Sequence, residues 1–88
     1  MSLDEKLDQL AELESGEGII APDRGDTEEE FQATVARVRQ YAQQGYVTIL
    51  SEKPESHTGH RYIVRLKVRL TSAGKRWRKE LASRRDTN

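Results

Sequence analysis

The chain has 88 residues, room for one small domain, and its 15 basic and 15 acidic side chains cancel to a formal net charge of zero. It has no cysteine, which excludes a disulfide framework, a Cys-ligated zinc site and a thiol nucleophile. The N-terminal MSLDEKLDQL is acidic and has no apolar run, and no stretch approaches the roughly 20 apolar residues of a membrane span, so the expectation is a cytoplasmic protein that does not engage a membrane.

The zero hides a split. Residues 1–30 carry eleven acids against Lys6 and Arg24, a net of −9, while residues 31–88 carry thirteen bases against Glu52, Glu55, Glu80 and Asp86, a net of +9. A polyanion partner is therefore compatible with the neutral total, because the field depends on where the charges sit. The alternative is that the acidic part neutralises the basic part, within one copy or across a dimer.

Leu3, Leu7, Leu10, Ala11 and Leu13 recur at helical spacing, which predicts an amphipathic helix over 3–14, with Ser2 and Glu5 as a capping box. Residues 15–26 read as a connection, broken by Gly16, Gly18, Pro22 and Gly25, with Gly18–Ala21 as a short strand. A second helix is predicted over 27–44. Thr27 and Glu30 form its capping box, Glu28, Glu29 and Glu30 suit the positive end of the helix dipole, and Gly45 ends it.

The period then changes to two. YVTILS at 46–51 is strand-like, SEKPESHTGH reads as a long hairpin loop, and residues 61–70 alternate strictly. Tyr62, Val64, Leu66, Val68 and Leu70 face one way, and Arg61, Ile63, Arg65, Lys67 and Arg69 the other, so the 46–70 hairpin should have one buried and one wet face. A last helix, 71–84, is capped by Thr71 and places Trp77 and Leu81 at i, i+4 in the core; the tail 85–88 should fray. The fold class expected is a single α+β domain over 1–88, three helices plus a long-looped antiparallel hairpin.

That order, with "RVRQYAQQGYVTIL" leading from a helix into a strand and "VRLTSAGKRWRKEL" leading from a strand into a helix, resembles the winged-helix superfamily, as in bacterial MarR-like and PadR-like regulators. The matching segments lie within residues 35–81, roughly half the chain. The resemblance implies a wing formed by the hairpin, a recognition helix at 27–44 and a small DNA-binding protein, a transcriptional regulator or accessory factor. The chain departs from the pattern before that helix. A winged helix has a further short helix there, and residues 15–26 are poor helix material, so either that helix is degenerate or it and the first strand are squeezed into a dozen residues.

Candidate contacts with double-stranded DNA follow. Arg61, Arg65, Lys67 and Arg69 repeat every second residue, about 6.5–7 Å apart, comparable to phosphate spacing on one nucleic-acid strand. Lys53, His57 and His60 would extend the row toward the wing tip. On the second helix, Arg37 and Gln40 are of the types that read guanine and adenine edges. Three glutamates at that helix's N-terminus oppose phosphate contact and favour the alternative, an interaction module that docks on protein. The leucine stripe of the first helix is wide enough to serve both the core and a partner helix, so a homodimer through it is expected.

The remaining motifs carry little. His57 and His60 could offer two metal ligands with Glu52 or Glu55 as a third, but there is no further His and no Cys; Gly16-x-Gly18 follows a helix rather than a strand, and no nucleophile–base arrangement has supporting context. The expectation is a non-enzyme with no metal and no cofactor.

Overall fold

The structure, a computed structural model, describes residues 2–86, without the side chains of residues 57, 85 and 86. The elements are α1 (Leu3–Glu12), β1 (Glu17–Ile20), α2 (Glu28–Gln43), β2 (Val47–His57), β3 (His60–Leu70) and α3 (Ser72–Asp86). The strands make one antiparallel sheet in the order β1-β3-β2, and the helices cover one of its faces, so the architecture is α+β. No helix among the described residues is long and apolar enough to cross a membrane.

Local chemistry sets the ends. The Ser2 hydroxyl accepts from the Glu5 amide and starts α1, and Thr27 does the same for Glu30 and starts α2. At the other end of α2, the Tyr46 amide reaches back to the Tyr41 carbonyl at 2.9 Å and closes the helix. Thr71 then ties two elements together: its hydroxyl donates to the Gly45 carbonyl at 2.6 Å and accepts from the Gly74 amide, capping α3 against the end of α2. Gly74 is buried there, and a Cβ on it would collide with the Tyr46 carbonyl. Gly74→Ala is therefore expected to cost about 1–3 kcal/mol, measured by thermal melting, because backbone cannot move aside as a side chain can.

Leu3, Leu7, Leu10 and Ala11 of α1 pack with Phe31, Val35 and Val38 of α2 and with Ile20, Val47, Leu66, Val68 and Leu70 of the sheet. The leucine stripe expected to serve both the core and a partner helix is thus taken up by the core; only Leu13, 48% exposed, is left outside.

Three expectations are corrected. The SEKPESHTGH segment is not a long loop: β2 and β3 pair as far as His57 and His60, and only Thr58 and Gly59 turn the chain. Both have positive φ, +48° and +79°, the backbone twist that matches a two-residue hairpin turn. Pro54 hid this pairing, yet it sits on the outer edge of β2, where no ladder donor is needed.

Strict alternation along 61–70 also fails. Lys53 pairs with Arg65 and Pro54 with Ile63, so Val64 is an extra residue; Leu50 is likewise unpaired between Ile49 and Ser51. Each bulge shifts the phase by one. Ile63 accordingly packs against the core, while Tyr62 and Val64 are half-buried instead of lining it. Finally, Trp77 is half-buried rather than enclosed. It stacks on Tyr46 at 4.4 Å and leans on Tyr41 at 4.8 Å, at the edge of an open groove between α2 and α3.

Candidate nucleic-acid interface

Because all the helices lie on one face of the sheet, the other face is bare. Leu66, Val68 and Leu70 point into the core, so Arg65, Lys67 and Arg69 point out of the opposite face, and all three are exposed. Register adds their neighbours: Arg69 lies between Glu17 and Thr48, Lys67 between Ile19 and Ser51, and Arg65 beside Lys53. The surface is a central cationic row flanked by hydroxyls, with Ile19 (41% exposed) on one side and Leu50 (37% exposed) on the other.

Electrostatics along the row are uneven. Arg69 has an acid at 3.7 Å, the Glu17 carboxylate across the strand pair. Among the described residues, Lys53, Arg65 and Lys67 form no ion pair. Lys53 and Arg65 are directly opposite, where Cβ atoms sit about 4.5–5.5 Å apart and like charges oppose the pairing. An anion laid across this end would relieve that repulsion.

The structure does not bring the other candidates to this face. The bulge at Val64 sends Arg61 to the helix side of the hairpin, beside Gln32, Arg39, Glu52 and Ile63. Arg37, expected on the outward face of α2, turns back toward α1. It donates to the Tyr41 hydroxyl at 2.9 Å and lies 3.5 Å from Asp4. The hydrogen bond to Tyr41 is the chief reason its guanidinium is held above its ordinary pKa, with Asp4 adding to it against a partial burial cost. Gln40 is exposed on α2, in the layer opposite the cationic face. His60 is drawn to α2 by Glu28 at 2.8 Å, and the side chain of His57 lies outside the described residues.

Two structural contacts escaped sequence reasoning. Gln32 donates to the Ile63 carbonyl at 2.7 Å and accepts from the Ile63 amide at 3.4 Å, filling the edge of β3 beyond Leu66, the last residue paired with β1. Arg78, in the basic C-terminal helix, is only 3% exposed. Its guanidinium donates to Asp8 at 2.7 Å and to Asp4 at 3.4 Å and lies 4.8 Å from the Trp77 ring. The signal for it was the i, i+4 spacing of Asp4 and Asp8 beside the leucine stripe. Among the described residues, no group of three or more His, Asp or Glu converges as a metal site. Comparison of the chain with protein-family models, with curated proteins and with solved structures gives no match.

Proposed function

We propose that this chain is a small winged-helix-like protein that binds nucleic acid through phosphate contacts from the bare sheet face, as a regulatory or accessory factor. The observation that carries the reading is the row Arg65, Lys67 and Arg69 with Lys53 beside it, held on the central strand and, at the Lys53–Arg65 end, with no ion pair among the described residues. The order helix–strand–helix–hairpin–helix and the strand order β1-β3-β2 support the winged-helix part.

Retardation of DNA at low salt, followed as salt is raised, tests it. Three to four phosphate contacts should give a log–log slope of about −3 to −4, at roughly −0.9 per contact. Arg65→Ala and Lys67→Ala should each shallow the slope by about one. Arg69→Ala should do less, since Glu17 already competes for that side chain. Absence of retardation at low salt overturns the reading. Exposed Ile19 and Leu50 beside the cations favour a second reading, an acidic protein partner with apolar contacts; its binding would persist at salt concentrations that release phosphate.

A further inference from the structure

We propose, resting on the reading above, that the nucleic acid taken by this face is double-stranded and is bound without regard to sequence, and that α2 fastens the hairpin instead of reading bases. Three observations converge on this.

The first is that several long polar side chains of α2 are engaged by other groups of the chain, Arg37 and Arg39 at its surface. Gln32 pairs with the backbone of Ile63, Arg39 with Glu52 of β2 at 2.9 Å, and Arg37 with Tyr41 and Asp4. Glu28 adds the link to His60. These contacts attach α2 to both strands of the hairpin. What the helix leaves outward beyond these is Glu29, Ala33, Ala36, Gln40 and Gln43, a carboxylate, methyl groups and amides; its two cations, Arg37 and Arg39, are exposed but already paired with Asp4 and Glu52. Its N-terminus, the end that enters a major groove in helix-turn-helix proteins, follows Asp23 and Asp26 and carries three glutamates, and it would meet phosphates with like charge. Residues 21–27 contain no helix, so β1 and not a short helix immediately precedes α2.

The second concerns strandedness. Single strands are held by stacking bases on aromatic side chains over a basic groove. The chain has five aromatic residues, and none lies along the stretch of the bare face that carries Arg65, Lys67 and Arg69 and the residues paired with them. Phe31 is buried, Tyr41, Tyr46 and Trp77 stack together at α2 and α3, and Tyr62 sits against His60 near the start of α2. The face has cations and hydroxyls only for a backbone, and a duplex presents the denser row of phosphates.

The third is width. A two-stranded ribbon fits a major groove of about 12 Å, and three strands about 4.8 Å apart with their side chains do not. Along residues 66–69, β3 is flanked on both sides, so Lys67 and Arg69 meet the outside of a duplex and not its base edges.

The test is fluorescence anisotropy of the full chain at low salt with two labelled duplexes of unrelated sequence and the single strand of one of them. Dissociation constants within about threefold for the duplexes are expected, against the 10³-fold or greater discrimination typical of sequence-specific binders. The single strand should bind about tenfold or more weakly, as expected for a face without stacking platforms. Gln40→Ala should leave all three unchanged, and Lys67→Glu should weaken both duplexes alike. A hundredfold preference for one duplex, a preference for the single strand, or a change in sequence preference on Gln40→Ala overturns this inference while phosphate binding stands. No binding to any of the three, or indifference to Lys67→Glu, overturns the phosphate reading itself.

Discussion

Removing both acids that hold Arg78, as Asp4→Ala with Asp8→Ala, is expected to destabilise the fold by about 3 kcal/mol in urea unfolding, whereas Arg78→Met should change stability by less than about 1 kcal/mol or raise it. The asymmetry comes from burial. Arg78 is 3% exposed, while the Asp4 and Asp8 side chains are 47% and 32% exposed. Without the acids an enclosed cation loses its partners; without the cation two carboxylates keep much of their water. Methionine fills the volume of the arginine stem and brings no charge to desolvate. For a domain this small, with total stability of the order of 5–13 kcal/mol, 3 kcal/mol is a large share. Combining Arg78→Met with the two alanines should recover most of the loss. If Arg78→Met alone proves as costly as the double replacement, the ion pair itself, and not the avoidance of an unpaired charge, holds α1 to α3.

Trp77→Ala is expected to cost about 2–3 kcal/mol, below the 3–5 kcal/mol of a fully enclosed tryptophan, because one edge of the ring faces the groove lined by Arg37, Leu81 and Arg84. The loss combines area with two aromatic contacts, each worth about 0.5–1.5 kcal/mol beyond burial. It should lower the melting temperature by roughly 10–20 °C, followed by circular dichroism. Trp77 is the chain's only tryptophan, so its fluorescence reports the same packing in the parent. Trp77→Phe, which keeps a ring against Tyr46, should recover more than half of the difference. A Trp77→Ala variant that melts with the parent would make the ring a surface feature.

Much of this fold was readable from the chain. The leucine stripe of α1, the Thr27 capping box, the glycine after α2 and the inward set Leu66, Val68 and Leu70 are local or periodic signals, and each holds in the structure. Arg65, Lys67 and Arg69 were likewise placed outward by the same period of two, since a slip of one residue would bury three cations. Period fails where partners decide. The bulge at Val64 depends on how β3 pairs with Pro54 and on Gln32, 31 residues away in sequence, holding Ile63 from the other edge. That one extra residue took Arg61 out of the cationic row. Arg78 looked like its basic neighbours because the i, i+4 spacing of Asp4 and Asp8 does not say which cation, seventy or more residues later, the two will hold. Arg37, expected to face outward toward base edges, meets Tyr41 and Asp4 for the same reason. Sequence alone therefore determined which residues are apolar, the order of helices and strands and the helix starts, and which cations of residues 65–69 lie on a wet strand face, but not how far the hairpin strands run. Tertiary structure decided which charges meet each other, because a charged side chain is directed by the partners and the desolvation it finds in space, and neither is written in the spacing along the chain.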